Sequence, residues 1–410
     1  MTNSSSTSFS VSHTLYPVLL TISMVHLLND TIQSVIPAIF PIIQQTLKLS
    51  YVELGLIAFA NNFVASIMQP VIGRYTDSRP LPYLLPVGMA FTLAGMLLLA
   101  FSFSLPLILV SVSLVGVGSA IFHPEGSRVV IMAAGQRRGL AQSIFQVGGN
   151  AGQSLAPIMT ALIFVPLGQF GAVWFTIIAA LAFVLLLYIA NWYRHQLALH
   201  PLELPVEKEQ NVPKARNRKV TFALFLIVFL VFVRAWYGTG ITNYYAFYLI
   251  EHYGLSIKDA QFYIFLYLLA GAIGIFSGGP LSDRFGKKSV ILYSMIASAP
   301  LSFVLPFVSL PWIYPILVLN GFIILSSFSV TLVYALELVP GKIGTISGMV
   351  FGLSFGMAAI GAIALGKMAD EFGLQFIMIV CGCLPALGIF TFLLPSEKEI
   401  KQWNSAAKII

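Results

Sequence analysis

The chain has 410 residues, of which 58% are hydrophobic and only 9% are charged, and its mean hydropathy is +0.89. Soluble domains carry about 25% charged residues, so this composition excludes a soluble globular protein and indicates an integral membrane protein. The net charge of +7 would suit nucleic acid or another anionic partner, but its distribution along the chain favours a different explanation.

Apolar stretches long enough to cross a bilayer recur along the whole chain. A helix needs about 20 apolar residues to span the hydrocarbon core. The sequence predicts an all-α polytopic membrane protein with twelve spans, near 14–41, 53–73, 81–103, 105–133, 138–163, 171–193, 220–250, 260–281, 288–309, 312–338, 343–367 and 374–395. The polar N-terminal segment lacks the positively charged start of a cleaved signal peptide, so we expect the first span to be retained.

Lys and Arg are unevenly distributed between the two sides of these spans. With the N-terminus inside, 17 of the 22 fall on cytoplasmic segments and three face outside, while Arg128 and Arg234 lie within spans. Cytoplasmic loops of membrane proteins are enriched in Lys and Arg. The pattern predicts a multi-pass protein of the cell membrane with both termini cytoplasmic, and it requires no nucleic-acid partner.

The first span carries four polar residues on one helical face. They follow the spacing i, i+3, i+4, i+7 and are His26, Asn29, Asp30 and Gln33. Such a seam can be an inert contact between helices, but a His and an Asp together favour a water-accessible functional face. We interpret Asp30 and His26 as candidates for carrying protons, and Asn29 and Gln33 as candidates for binding a substrate.

The fourth span contains "IFHPEGSRVV" at 121–130, with His123, Glu125 and Arg128 inside an apolar run. Glu125 and Arg128 are three residues apart and are expected to pair along the helix. A buried carboxylate that can take up a proton is what a proton-coupled transporter needs, so Glu125 and His123 are further proton-coupling candidates. Arg128 is a candidate substrate ligand, although its long side chain can also extend towards the cytoplasm.

The seventh span places Arg234 at about the same depth as Asp30, counted at 1.5 Å per residue. Arg234 is expected either to hold an anionic substrate through bidentate hydrogen bonds or to be a permanent partner of Asp30. Tyr237, Asn243 and Tyr244 follow on the same span as candidate substrate contacts, with interfacial anchoring as the alternative for the aromatic residues.

The last spans add one acid and two cysteines. Glu337 is a candidate substrate ligand, although its place near the end of the tenth span favours a gate or loop contact. Cys381 and Cys383 lie close together in the last apolar run, which indicates packing and predicts neither a disulfide framework nor a metal site. No other pattern in the sequence predicts a cofactor.

The chain divides into two halves that resemble each other. The polar interval 194–219 is expected to be a cytoplasmic linker between residues 1–193 and 220–410, each with six spans. An offset of 206 matches Ser50 to Ser256 and Gly73 to Gly279, and an offset of 204 matches Gly148 to Gly352. Two parallel six-helix repeats with a site between them are a known transporter architecture.

The motif "GGPLSDRFGKK" at 278–288 and its shorter copy "GRYTDSRP" at 73–80 resemble the loop between the second and third helices of each half in the major facilitator superfamily. The matching residues are Gly279, Asp283, Arg284, Gly286, Lys287 and Lys288, and in the first copy Gly73 and Asp77, where Ser78 and Pro80 replace the usual Arg and Gly. The resemblance implies two pseudo-symmetric six-helix bundles, a monomer, and a cavity lined by spans 1, 4, 7 and 10. It also implies that these loops act in conformational switching.

Four further segments, at 26–34, 122–128, 139–157 and 337–348, resemble a group of bacterial exporters within that superfamily. That resemblance implies proton-driven efflux, by antiport, of a small anionic or polar compound such as a phosphonate antibiotic. Protons, a small-molecule substrate and the lipid bilayer are the implied partners. Glycines at every fourth position in "GGNAG" and "GLSFG" predict close contacts between helices.

Two other functions stay open at this point. The same fold can import a small organic anion or a sugar by symport, because the residues alone do not set a direction. A membrane-embedded enzyme or receptor is the second. The sequence lacks the GxSxG, HExxH and Walker patterns, so we do not expect an enzyme, and the repeat of the two halves disfavours a receptor.

Overall fold

The computed structural model describes residues 13–135, 137–199, 214–339 and 343–406. Within these ranges the chain forms α-helices joined by short π-helical and 3-10 turns, and no β-strand is present there. Residues 200–213 of the predicted linker lie outside the described residues, as does the side chain of Asp77.

The first half of the chain is a succession of long helices. In order, these are α1 (Tyr16–Ala38), α2 (Phe40–Leu47), α3 (Tyr51–Ser78), α4 (Leu84–Ala100), α5 (Leu105–Ala133), α6 (Arg138–Met159), a π-helical turn (Thr160–Phe164), α7 (Val165–Leu167), a 3-10 turn (Gly168–Gly171) and α8 (Ala172–Leu199). α3 begins at a capping box, in which the side chain of Ser50 accepts from the backbone of Glu53 and the Glu53 carboxylate accepts from the backbone of Ser50. Such a box satisfies two backbone donors at the helix start.

The second half follows a similar order. It contains α9 (Lys214–Thr239), a π-helical turn (Gly240–Tyr244), α10 (Tyr245–Tyr253), α11 (Ile257–Phe285), α12 (Lys287–Val304), a 3-10 turn (Leu305–Phe307), α13 (Leu310–Leu325), α14 (Phe328–Leu338), α15 (Ile343–Phe372), α16 (Leu374–Cys383), a 3-10 segment (Leu384–Leu393) and α17 (Glu397–Ala406). Ser256 caps α11 as Ser50 caps α3, by accepting from the backbone of Asp259. The matched serines of the sequence repeat therefore start equivalent helices.

Ten helical stretches of the described chain are long and apolar enough to cross a membrane. One of them, Leu140–Leu199, has 60 residues, which at 1.5 Å per residue is about 90 Å and far exceeds one crossing. Gly168, with a φ of +60°, interrupts it between α7 and α8. The 17-residue apolar helix Leu84–Ala100 is a further shorter candidate. With these two adjustments the count reaches the predicted twelve.

The helices pack mainly within each half. In the first half, α1 packs on α6, and α5 packs on α3 and α4; in the second, α11 packs on α13 and α9 on α15. The largest contacts between the halves join α3 to α15 and α6 to α11. Large apolar side chains remain exposed along the outer faces of these helices, as a surface in contact with lipid requires.

The motif at 278–288 is mostly helical, which corrects the prediction of a loop there. α11 continues to Phe285, and only Gly286, at a φ of +86°, separates it from α12. Glu397 of α17 caps α12 by accepting from the backbone of Lys287. Asp283 is exposed.

The two ends of the helix bundle differ in how the halves meet. We call the end that holds Tyr16 and α17 the terminal end, and the opposite end the far end. At the far end, the Asp370 carboxylate accepts from the backbone of Tyr51 and Val52, both at 2.8 Å, and Gln261 donates to the carbonyl of Ala38 at 2.9 Å. Nearer the terminal end, the Ser66 hydroxyl donates to the carbonyl of Gly352. The bonds of Asp370 and Gln261 hold the two halves together at the far end, which we therefore call the closed end.

Candidate functional site

Glycines on α6 let α1 approach it closely. A Cβ added at Gly148 or Gly152 would overlap backbone oxygens of α1, so the predicted small-residue contact forms here. The matching pair in the second half is looser, because a Cβ at Gly356 would lie 3.1 Å from the Ser66 hydroxyl. The close contact brings the polar face of α1 against α6 and α5.

A carboxylate on α1 lies at the centre of that contact. Asp30 is 5% exposed and accepts from Asn29 at 3.0 Å through one oxygen and from Gln153 of α6 at 3.0 Å through the other. His26 Nε2 lies 3.4 Å and His123 Nε2 3.8 Å from the same carboxylate. We call these five residues the Asp30 centre. Gln33 continues the face outside it, and its side-chain nitrogen has no hydrogen-bond partner within the described residues.

The backbone of α6 orients His26. Its Nδ1 lies 2.8 Å from the carbonyl oxygen of Phe145, and the two rings stack with centroids 4.0 Å apart. Because a carbonyl only accepts, Nδ1 carries a hydrogen and Nε2 faces the carboxylate of Asp30. In a neutral ring the Nε2 lone pair would point at the carboxylate, and a cation between the two relieves that repulsion. Ligand atoms of His26, Asp30 and His123 all lie within 4.8 Å of one another, close enough to share a bound proton or another small cation.

The predicted pair of Glu125 and Arg128 forms on α5. Arg128 Nε lies 3.3 Å from Glu125 Oε1, and Arg128 Nη2 donates to the Thr76 hydroxyl of α3 at 3.2 Å. The Glu125 side chain is fully buried, whereas Arg128 keeps 18% of its side chain exposed. Arg128 therefore holds α5 against α3 as well as pairing with Glu125.

A buried arginine occupies the second half. Arg234 of α9 is 7% exposed; its Nη2 donates to the Ser327 hydroxyl at 2.7 Å and its Nη1 to the Thr331 hydroxyl at 3.3 Å. Ser294 of α12 bonds Ser327 at 2.6 Å. We call Arg234, Ser294, Ser327 and Thr331 the Arg234 centre. Arg234 also lines a cavity of about 120 Å³, whose other walls are Val231, Ala235, Leu325, Phe328, Thr331, Val350 and Ser354.

The partners of Arg234 are neutral hydroxyls. Within the part of the chain that the structure describes, no carboxylate lies within ion-pair distance of its guanidinium, and its Nε has no acceptor. The interpretation of Arg234 as a standing partner of Asp30 is therefore wrong in this conformation. Each residue has partners in its own half.

The remaining predicted residues lie elsewhere. Tyr237 and Tyr244 are buried, and Tyr244 donates to the carbonyl of Ala362 at 2.5 Å. Asn243 accepts from the hydroxyl of Thr242 at 3.0 Å. Glu337 pairs with Lys287 at 3.1 Å with 40% of its side chain exposed, which fits the gate or loop contact that the sequence favoured.

The motif residues at the terminal end form a separate group. Lys288 donates to backbone carbonyls of Phe392 and Leu394, and Arg284 lies over the ring of Phe285 at 5.2 Å. A Cβ at Gly73 would lie 3.7 Å from Pro124, whereas Gly279 has open space around it. None of these contacts reaches the Asp30 or Arg234 centre.

Sequence reasoning missed four residues of the two centres and their surroundings: Gln153, Ser294, Ser327 and Thr331. Gln153 lies in the segment "GGNAGQS", where a polar residue among small ones on a packed helix is a usable signal. Ser and Thr are common in membrane helices, since they bond back to their own backbone. They gave no signal that could separate Ser327 from its neighbour Ser326.

Known proteins share this architecture and much of this sequence. The profile of the Major Facilitator Superfamily matches residues 22–355 and 235–408. The chain is 55% identical over 392 residues to the uncharacterized MFS-type transporter YfnC of Bacillus subtilis (strain 168), covering 96% of each chain. It is 44% identical over 386 residues to the fosmidomycin resistance protein of Escherichia coli (strain K12), covering 94% of each.

The solved structures agree on the fold. A bacterial homologue of the human lysosomal transporter Spinster, in an inward-facing and occupied conformation, superposes with a TM-score of 0.70 at 17% sequence identity and covers 96% of both chains. These matches agree with the apolar helices and the two packed halves of the structure. The chain is therefore a multi-pass membrane transporter, not an enzyme, and it belongs to the Major Facilitator Superfamily.

Proposed function

We propose that this transporter exports a small anionic compound, a phosphonate such as fosmidomycin or a related molecule, in exchange for protons. The observation that carries the proposal is Arg234, a buried guanidinium that lines a cavity and, among the described residues, is held by hydroxyls alone.

A charge in such a place calls for a counter-ion. Burying an unpaired charge costs several kcal/mol, and within the described part of the chain the neutral hydroxyls of Ser327 and Thr331 leave the positive charge of Arg234 uncompensated. A phosphonate or phosphate group supplies the missing negative charge and matches the planar fork of the guanidinium. Val231, Leu325, Phe328 and Val350 leave the rest of the cavity wall apolar, so we expect a single anionic group to be held there.

The Asp30 centre supports proton coupling. Asp30, His26 and His123 can each exchange a proton, and His26 already donates through Nδ1, so a second proton on Nε2 relieves its contact with the carboxylate. Glu125 pairs with Arg128 at 3.3 Å. We therefore propose Asp30 with its two histidines as the main proton carrier, and Glu125 as a second candidate that also fixes Arg128.

The predicted topology and one relative support export as the direction of transport. We propose that both termini are cytoplasmic, because Lys and Arg concentrate on that side. The far end is then extracellular and closed by the Asp370 contacts with α3, and the cavity would be loaded from the cytoplasm. The relative from Escherichia coli is named for resistance to fosmidomycin, and resistance to a drug favours efflux as the direction of transport.

We also propose the domain organisation that the repeat predicts, with bundles 1–193 and 220–410, a linker at 194–219, and a monomer as the working unit. α8 continues to Leu199 and α9 begins at Lys214, so helix extends into both ends of that linker. The terminal-end contacts of Lys287 with Glu337 and Glu397 suit a latch that changes between conformations.

The test uses inverted membrane vesicles with an acidified lumen and a fluorescent pH probe. Fosmidomycin added to the exposed cytoplasmic face should raise the lumenal pH in vesicles that contain the protein, and should have no effect in vesicles that lack it. Arg234→Gln should abolish the response. Proton release that requires drug preloaded inside the vesicles would instead identify an uptake symporter, and no response under either condition would reject proton coupling with this substrate.

A further inference from the structure

The break between α13 and α14 brings a serine to Arg234. α13 ends at Leu325 and α14 begins at Phe328, so Ser326 and Ser327 lie between two helices. Ser326 turns its hydroxyl to the carbonyl of Ile323 in its own helix at 2.7 Å. Ser327 instead accepts from Arg234 Nη2 at 2.7 Å, across to α9. Two adjacent buried serines thus have different partners.

A chain of hydroxyls extends from Ser327 into α12. Ser327 and Ser294 lie 2.6 Å apart, and Ser294 lies 3.0 Å from the carbonyl of Ile291. Ser294 donates to the Ser327 hydroxyl, whose oxygen has two lone pairs and also accepts from Arg234. Ser294 therefore fixes the position of the oxygen that Arg234 contacts.

The backbone of the same break holds the second arm of the guanidinium. Thr331 donates to the carbonyl of Ser327 at 2.7 Å and accepts from Arg234 Nη1 at 3.3 Å. Both terminal nitrogens of Arg234 are therefore positioned through Ser327, once by its hydroxyl and once by its carbonyl. Neither Ser327 nor Ser294 is among the residues that line the cavity.

We infer that Ser327 and Ser294 are positioning residues for anion recognition, an inference that rests on the proposed role of Arg234 in binding substrate. They fix the plane of the guanidinium through neutral acceptors. A carboxylate at the same place would orient Arg234 equally well but would cancel the charge that attracts the anion. The hydroxyl chain orients the guanidinium of Arg234 and leaves its full positive charge available to the ligand.

The experiment measures the affinity of the purified full-length protein for methylphosphonate, with ligand-dependent thermal stabilisation as the readout. A hydrogen bond to a charged group contributes enough that Ser327→Ala should weaken binding about tenfold or more, and Ser294→Ala, which acts only through Ser327, about threefold. The double variant should bind no more weakly than Ser327→Ala alone, because the two serines act in series.

The chain offers matched controls. Ser326→Ala removes the neighbouring hydroxyl of the same break, and Ser298→Ala removes a fully buried serine one turn further along α12 whose hydroxyl donates to the carbonyl of Met295. Both should bind within about twofold of the unchanged protein, since each hydroxyl donates to a carbonyl of its own helix and to no member of the Arg234 centre among the described residues. Ser327→Thr, which keeps the hydroxyl, should restore most of the affinity, and Ser327→Asp should abolish binding by neutralising Arg234.

The outcomes separate this inference from the proposed function. If the unchanged protein is not stabilised by methylphosphonate, the anion-binding role of Arg234 fails, and the positioning role falls with it. If the unchanged protein binds and Ser327→Ala binds equally well, only the positioning role is overturned. Equal losses in Ser326→Ala and Ser327→Ala would also overturn it, by showing a general effect of the helix break. Should Ser327→Ala fail to fold, comparison of Ser327→Thr with Ser327→Asp decides in its place.

Discussion

The Asp30 centre and the Arg234 centre hold opposite charges in opposite halves, and they differ in what surrounds the charge. Asp30 has two histidines and two amide donors around it. Arg234 has two hydroxyls in contact and a third behind them. An imidazole can take up and release a proton, whereas a hydroxyl or a guanidinium keeps its protons.

This difference separates an adjustable charge from a permanent one. On the proposed mechanism, the Asp30 centre changes its charge by taking up a proton, and the Arg234 centre keeps a positive charge that a bound anion neutralises. Substitutions at each centre test this comparison.

The largest effect is expected from Asp30→Asn. Asparagine has about the size of aspartate, and its amide oxygen still accepts a hydrogen bond. It carries no negative charge, so it cannot share a proton with His26 and His123. Efflux driven by a pH gradient should fall at least a hundredfold in proteoliposomes, while binding of fosmidomycin changes little. Asp259→Asn, at the exposed far end, is the control. Full pH-driven efflux by Asp30→Asn would show that the adjustable charge lies elsewhere, with Glu125 as the next candidate.

Arg234→Lys tests the permanent charge. Lysine retains a positive charge but lacks the planar fork, so affinity for fosmidomycin should fall about ten- to a hundredfold, the equivalent of about 1.4–2.8 kcal/mol. Arg194→Lys, which alters an exposed cation over the ring of Tyr83, should leave affinity unchanged. Equal affinity in Arg234→Lys would indicate that charge alone, without the geometry of the fork, recognises the substrate.

The Glu125–Arg128 pair adds a third case to the comparison of the two centres, because its two opposite charges cancel. Removing one partner of a buried ion pair costs about 3–5 kcal/mol, so Glu125→Gln should lower the thermal unfolding temperature of the purified protein. Adding Arg128→Gln should recover stability. If the pair is purely structural, pH-driven efflux returns in the double variant together with stability; if Glu125 carries the proton, stability returns and efflux does not.

The smallest effect concerns the closed far end, where Asp370 caps α3. Loss of a helix cap costs about 1 kcal/mol, so Asp370→Asn should shift the equilibrium about fivefold towards a state open at that end. Spin labels at Gln45 and Lys258, after replacement of the exposed Cys383, would report the distance between the halves. Glu371→Gln, which alters only a pair with Lys367 in its own half, should leave the distance distribution unchanged.

The sequence alone determined the class of protein and most of the charged residues of the site. Charges within apolar runs are expensive, so Asp30, Glu125, Arg128 and Arg234 could be identified without a structure. The Glu125–Arg128 pair was also predictable, because both residues belong to one helix and the helical repeat places i and i+3 side by side. The match of Ser50 to Ser256 was also readable in the sequence, from the repeat of the two halves.

Only the tertiary structure decided which residues meet across different helices. Gln153 contacts Asp30 from 123 residues away, and Ser327 contacts Arg234 from 93 residues away. Such contacts depend on the rotation and axial register of packed helices, which glycines such as Gly148 and Gly152 set by how closely they admit a neighbour. Equal depth in the membrane suggested that Asp30 and Arg234 pair. Depth does not determine where a residue lies in the plane of the membrane. The packing of α1 on α6 and of α9 near α14 placed the two residues in separate centres.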